Sequence, residues 1–387
     1  MLLCWPFAFP EVSVAAVREA AFSKYLSQGG IEIITVAPKK EGLQEVERSP
    51  RIIRVTSYES PSPPGGILDR LLAFRRSVRE IRQLLEEFQP NLVIASSPPP
   101  FLAYETLRAM AGNEVPYIFD SRDAFAQTSY YLPNKRRAWA KLRLERKCCR
   151  AAQRIFAVTE RQAELLAQGH GLSPESVLLV PNGADLEFFS RPPRPARCDF
   201  VMHGVPKQMK EITSVFRGFL EALQDAPEMR IRYVGWTDSD YCRGIEQEIR
   251  AQGRESSFEL IPPVPFEEIP QLLSEGRVGV ASHSKDPAII PSMPVETYEY
   301  VAAGLPVVAH GPDVPCALRD YVTGEGVGVY ATSINAFARA CIRFLGEPGF
   351  LHSFSPGIAA SRVKYDRGRI LKEVIEKVII PFQEKAK

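Results

Sequence analysis

Several features are missing from this 387-residue sequence, and each absence narrows the field. Its seven cysteines are an odd number, scattered except for adjacent Cys148 and Cys149, and none has a C-x-x-C spacing. A disulfide framework, a zinc ribbon or a dithiol redox motif therefore lacks its residues, and a reducing cytoplasm is the expected compartment. No apolar run reaches the roughly 18 residues of a membrane-spanning helix. The opening MLLCWPFAFPEV has no basic stretch ahead of its apolar residues, so a signal peptide is not expected. The net charge of +2 carries no strong sign and names no partner. What remains is 45% hydrophobic and 24% charged, normal for a globular protein, and long enough for two domains.

Strand-like apolar runs alternate with helical patterns along the chain. Helices are expected at Ala15–Ser27, Leu68–Phe88 and Phe101–Ala111. Strands are expected at Ile31–Val36, Leu92–Ala95, Tyr117–Phe119, Ile155–Val158 and Val177–Val180. This rhythm predicts a doubly wound parallel sheet of the α/β class. SRPPRPAR, residues 190–197, then reads as a linker, with three prolines in close succession. A second series follows, with strands at Phe200–Val201, Ile231–Val234, Phe258–Ile261, Val278–Ala281, Val307–Ala309 and Gly328–Val329. The expected division is a domain at 1–190, a linker at 191–197, a second domain at 198–362 and a C-terminal helical segment at 363–387. Parallel sheets bind ligands beyond their carboxyl strand ends, so the site is expected in the cleft between two such domains.

The most informative stretch is PSMPVETYEYVAAGLPVVA, residues 291–309. It reads as a helix from near Pro294 to Ala303, with Ser292 as N-cap and Gly304 as the left-handed stop before a buried strand. The backbone N–H groups at the start of that helix form an anion site suited to a pyrophosphate. Glu299, one turn further on, can accept hydrogen bonds from ribose hydroxyls. An ordinary helix–Gly–strand unit is the plain alternative.

Residues Glu299, Ala302–Gly304 and Pro306–Val308 together resemble the donor-binding signature of family 4 glycosyltransferases, retaining enzymes of the GT-B fold. A second match is VLLVPNGADLEFF at 177–189, a strand and Pro-Asn-Gly turn just before the linker. Looser likenesses lie in FPEVSVAAVREAAFSKYLSQGG at 9–30, where Arg18 matches a family arginine, and in NLVIASSPPPFLA at 91–103. PYIFDSRDAF at 116–125 carries Asp120, Arg122 and Asp123 at a strand end, similar to transferases of bacterial surface polysaccharides. The resemblance implies Asp123 and Arg122 as catalytic residues on the acceptor side; a surface Arg–Asp pair that orders the loop is the alternative. It implies Gly204, Lys207, Lys210, Gly235, Ser292, Glu296 and Glu299 as donor-binding residues, and a last helix that crosses back to the first domain. Lys210 matches the family's diphosphate lysine, and Lys207 stands in for an arginine replaced by Val205.

The departures are as specific. Pro291 occupies the position of the family's first paired glutamate, and Glu296 replaces a lysine found in a related subgroup. A carboxylate beside a diphosphate site needs a counter-cation, for which Lys285 and His283 are the expected candidates. His203, His283 and His310 each follow a strand and read as structural hydrogen-bonding groups; they lack metal-ligand spacing, and no metal is expected. Residues 135–154 hold nine Lys/Arg and one acidic residue, interleaved with Trp139, Leu142 and Leu144. A basic amphipathic helix there suits an anionic membrane surface or simply a solvated face. No nucleic-acid module is present. The implied activity is transfer of a sugar from a nucleotide diphosphate sugar to a hydroxyl of a lipid-linked or polysaccharide precursor, with retention and no cofactor. The expected setting is the cytoplasm, at the inner face of the membrane. A non-catalytic partner subunit of the same fold and a nucleotide-sugar epimerase are the rivals.

Overall fold

A computed structural model covers the chain and describes every residue except 9, 12, 47–50, 59–65, 124–134, 193, 208–209, 288 and 386–387. The chain divides into two compact units, Met1–Asn182 with Ile370–Lys387, and Gly183–Arg369. The passage between them falls at Asn182–Gly183, ahead of the proline-rich stretch, and Ala184 and Phe189 are already in the core of the second unit. No helix among the described residues is long and apolar enough to cross a membrane.

The first unit is a seven-stranded parallel sheet, β1 (Leu2–Cys4), β2 (Ile34–Pro38), β3 (Arg51–Val55), β4 (Val93–Ser97), β5 (Tyr117–Ser121), β6 (Arg154–Ala157) and β7 (Val177–Leu179), in the order β3-β2-β1-β4-β5-β6-β7. Its helices are α1 (Val14–Gln28), α2 (Ile67–Phe88), α3 (Pro100–Ala109), α4 (Lys135–Ala151) and α5 (Glu160–His170). β1 and β3 go beyond the sequence reading. β1 is only three residues long, and β3 begins and nearly ends on arginine, so neither shows a usable period. Ser13 caps α1 through the Ala16 N–H, 3.1 Å away. The C-terminal segment runs through Arg367–Val374, a π-helical turn at Ile375–Ile379, and Ile380–Lys385. Leu371, Val374, Ile375 and Ile379 bury against Trp5, Phe22 and Phe156 of the first unit.

The second unit is a six-stranded parallel sheet of β8 (Cys198–His203), β9 (Ile231–Val234), β10 (Phe258–Ile261), β11 (Gly276–Ser282), β12 (Val307–His310) and β13 (Gly328–Ala331), in the order β10-β9-β8-β11-β12-β13. Helix α6 (Ile212–Asp225) follows β8, and α7 (Val295–Ala302) precedes β12. The inner strands β8, β11 and β12 are mostly apolar and buried, as expected of an all-parallel sheet, while the edge strands β10 and β13 are half-buried. Phe200, Phe216, Phe219, Tyr233 and Phe337 fill one face, and Tyr298, Tyr300, Val301 and Val307 the other.

Candidate functional site

In the second unit the strand order reverses between β8 and β11, the point where an open parallel sheet receives ligands. Two glycines shape the approach. Gly204, just after β8, has φ +104°, and Gly235, just after β9, has φ +102°. A Cβ on Gly235 would lie 2.8 Å from the Gly204 carbonyl oxygen, so these two strand-end turns pack at a distance that only glycine allows. Lys210 returns from the same loop, its Nζ 3.8 Å from where a Cβ on Gly204 would stand.

Helix α7 points its first turn at this region. Pro294 is its N-cap, and it ends in a Schellman arrangement: Gly304, at φ +87°, donates to the Val301 carbonyl and Leu305 N–H donates to the Tyr300 carbonyl at 2.9 Å. Ser292 does not cap the helix, contrary to the sequence reading. The proline starts the helix two residues later, and the Ser292 N–H donates to the Ile289 carbonyl instead.

Two acidic side chains of α7 meet His203, the last residue of β8, and Lys210 of the loop that follows. Lys210 Nζ donates to Glu296 Oε1 at 2.5 Å. Burial alone would raise the Glu296 pKa, but the Lys210 ammonium outweighs it and holds the carboxyl below its usual value. Glu296 is also a first-turn acid, placed where the helix dipole favours negative charge. His203 Nε2 lies 2.9 Å from Glu299 Oε2, within ion-pair distance but off hydrogen-bond alignment. The His203 backbone N–H donates to the Tyr300 hydroxyl at 3.0 Å. Lys210, not Lys285 or His283, is therefore the counter-cation of Glu296. Lys285 is exposed, and burial pushes the His283 pKa down to about 4, which leaves its ring neutral near pH 7.

His283 is 1% exposed; neither ring nitrogen meets strict hydrogen-bond geometry, although the Ser292 backbone lies close enough to oppose the lowering of its pKa by burial. Thr297 Oγ1 on α7 and His310 Nδ1 at the end of β12 are buried and unpartnered as well. Buried polar atoms are almost always paired, and an orphaned group calls for a reason. Here the orphans come from the ends of adjacent strands β11 and β12 and from α7, beside the two acid–base pairs. Four buried polar atoms without a hydrogen-bond partner thus lie on His283, Thr297 and His310. Sequence reasoning treated the histidines as structural. Their shared position at neighbouring strand ends was the available signal. Lys207 is exposed in the β8 loop.

Arg122 and Asp123 belong to the first unit, at the end of β5. Arg122 is buried, its Nε donating to Ser96 Oγ at 2.9 Å and its Nη2 to the Pro98 carbonyl at 2.5 Å. Burial lowers its pKa, although Asp120 and Asp123 oppose this. Asp120, fully buried, accepts from Ser96 Oγ at 2.8 Å and from Arg18 Nη2 at 2.7 Å. Arg18 reaches on to the Asn182 side chain at 3.3 Å. Arg122 is thus held within a buried network, while Asp123 is half-buried at its edge.

The family model described as Glycosyltransferase Family 4 matches residues 16–188, and the one described as Glycosyl transferases group 1 matches residues 198–347. The fold is that of sucrose-phosphate synthase from Thermosynechococcus elongatus, with a TM-score of 0.78 at 15% identity over 99% of each chain. HepE of Anabaena, solved in complex with UDP, matches with a TM-score of 0.73 at 14% identity over 98% of this chain and 99% of that one. A glycosyltransferase from Rickettsia africae matches with a TM-score of 0.72 at 13% identity, over 100% of this chain and 98% of that one. No curated relative matches the sequence.

Proposed function

The chain belongs to the family 4 glycosyltransferases of the GT-B fold, and from that premise we propose that it transfers a sugar from a nucleotide diphosphate donor to a hydroxyl acceptor, with retention. The acceptor we favour is a lipid-linked or polysaccharide precursor, used in the cytoplasm at the inner face of the membrane. The observation that carries the donor assignment is the cluster at the β8/β11 reversal, where the Lys210–Glu296 and His203–Glu299 pairs lie near the buried ring of His283. A solved neighbour of the same fold, HepE, is described in complex with UDP, which supports a nucleotide ligand.

In this reading Glu299 accepts hydrogen bonds from the ribose hydroxyls. Lys210 turns from Glu296 toward the diphosphate, joined by the exposed Lys207 and by backbone N–H groups near residues 292–295. As the bond from the anomeric carbon to the diphosphate breaks, charge grows on the leaving phosphate. Pre-placed cations and N–H groups stabilise that charge without reorganising, usually the largest catalytic contribution. His283, neutral near pH 7, offers one N–H and one lone pair to the sugar or diphosphate. In the first unit Arg122 holds the Ser96–Pro98 segment in place, and Asp123 faces the acceptor hydroxyl. No metal is required by these roles.

The second reading is a non-catalytic partner subunit. The Lys210–Glu296 pair favours it, because the diphosphate lysine is neutralised by the chain itself. Incubation with UDP-, GDP- and ADP-sugars, with nucleoside diphosphate release as the readout, separates the two. Release from one donor, abolished in Lys210→Met and in Glu299→Gln, supports the transferase. A wild-type protein that binds a nucleotide yet releases none, with or without glycan acceptors, supports the partner subunit.

A further inference from the structure

Of the two carboxylates on α7, one is already engaged and one is held ready. Glu296 and Glu299 stand three residues apart and share a face of the helix. Glu296 accepts a hydrogen bond from the Lys210 ammonium. The Glu299 carboxylate, 6% exposed, accepts no hydrogen bond from any of the described residues. What it faces is a ring edge, His203 Nε2, 2.9 Å from Glu299 Oε2. The two are poorly aligned, and a hydrogen bond weakens steeply off its axis. His203 therefore restrains the carboxylate while leaving its lone pairs to a ligand. Among the described residues, His203 is the only one of the three strand-end histidines in an ion pair with an acid of α7.

His203 is itself held from two directions. It is the last residue of β8, in register with Val234 of β9, so the sheet sets its backbone. Its N–H donates to the Tyr300 hydroxyl at 3.0 Å, and its ring stands edge-on to the Tyr300 ring, 5.3 Å between centres at 85°. Tyr300 is fully buried, and burial, with Glu296 next, raises its pKa so far that the phenol stays protonated. The Tyr300 ring lies flush on β11, where a Cβ on Gly279 would collide with it. Glycine at 279 is what lets the ring approach the strand so closely. One line of contacts thus runs from Gly279 through Tyr300 and His203 to Glu299.

We propose that His203 is a positioning residue: it holds the Glu299 carboxylate in the orientation that receives the ribose hydroxyls, and the Tyr300 hydroxyl holds His203 in turn. This role presupposes the donor seat proposed above, since it acts through Glu299. A glutamate has three side-chain torsions to fix when a ligand binds. A neighbour that fixes them beforehand removes that entropic cost from the binding step. Lys210 and the backbone N–H groups at the start of α7 serve the diphosphate and do not depend on His203. The effect therefore falls on the ribose hydroxyls alone. A histidine that only filled space would alter the binding of ribose and deoxyribose ligands alike.

The test is calorimetric binding to the full chain of UDP, GDP and ADP, of their 2′,3′-dideoxy forms, and of inorganic pyrophosphate. Wild type should bind one nucleotide about tenfold more tightly than its dideoxy form. His203→Leu should bring that ratio to about twofold, with binding of the dideoxy form and of pyrophosphate unchanged. His203→Gln places an amide N–H where Nε2 stood and should restore most of the ratio. Tyr300→Phe keeps the ring, removes only the hydroxyl, and should lower the ratio about threefold. A wild-type ratio in His203→Leu, or an equal loss of both forms, overturns the role of His203 and leaves the donor seat standing. If His203→Leu does not fold, an unchanged ratio in Tyr300→Phe overturns it. A wild-type chain that binds no nucleotide, or shows no preference for the ribose form, overturns the ribose contact of Glu299 and the role of His203 with it.

Discussion

In the first unit, the charges at the carboxyl ends of the strands are tied to one another: Asp120 receives Arg18 and Ser96, and Arg122 is held by Ser96 and the Pro98 carbonyl. In the second unit, the acids of α7 are matched by His203 at the end of β8 and Lys210 in the loop after it, and His283, Thr297 and His310 hold buried atoms without hydrogen-bond geometry. Both ends are polar and both are largely dry. Removing one member of a buried charged network strands the others, which makes the first unit's set a scaffold. Orphaned atoms beside the two pairs leave hydrogen-bonding capacity unspent, which is why we propose the second unit's set as the seat of a ligand. The difference is one of degree, since Ser97 Oγ at the end of β4 is also buried without a partner, while the second unit gathers such atoms on three residues near its two pairs.

The contrast can be broken by substitution. Asp120→Ala leaves Arg18 and Arg122 buried without their anion. It should destabilise the first unit by about 3–5 kcal/mol, seen as a lower denaturant midpoint. If stability holds while nucleotide binding vanishes, the scaffold reading fails. His283 sharpens the other side. Its pKa is held near 4, against 6.5 when unfolded, so the unfolded chain binds more protons in that window. The contribution of the neutral ring is present above pH 6.5 and is lost as pH falls toward 4, a loss of about 3 kcal/mol. Unfolding of His283→Gln should show a flatter decline across that range than wild type; parallel curves would remove His283 from the account.

Two smaller effects separate the members of the second unit's pair. Lys210→Met should weaken nucleoside diphosphate binding by about 2 kcal/mol, some thirtyfold. Glu296→Gln should do the opposite. It frees the ammonium and removes a nearby anion, tightening binding by about 1 kcal/mol, or fivefold. Calorimetry on the two variants decides it. Weaker binding in both would mean that Glu296 aims the lysine rather than competing with the ligand.

Much of the fold was legible because each strand–helix repeat declares itself locally. The run from Tyr117, the helix at Phe101 and the Gly304 stop depend on neighbours in sequence. β1 was not legible: three residues are too few for a period, although the strand is interior to its sheet, between β2 and β4. The candidate site rests partly on local motifs and partly on distant pairings. Lys210, Glu296 and Glu299 could be named from their motifs, but the pairing of Lys210 with Glu296 spans 86 positions, and local spacing pointed to Lys285 and His283 instead. The Arg18–Asp120 contact spans 102 positions and recast Arg122 from an exposed strand-end charge to a buried strut. Which face of α2 is buried was not legible. Only the packed structure shows that Ala73, Ser77, Ile81 and Leu85 are buried on that helix and leave Leu68 and Leu72 outside.

The most direct measurement is calorimetric titration of UDP, GDP and ADP into the wild-type chain and Glu299→Gln, with EDTA present. The account predicts that one nucleotide binds wild type with a Kd of about 1–100 μM and binds the variant at least tenfold more weakly. Wild-type and variant proteins that bind equally, or that bind none of the three, would contradict a donor seat at the β8/β11 reversal.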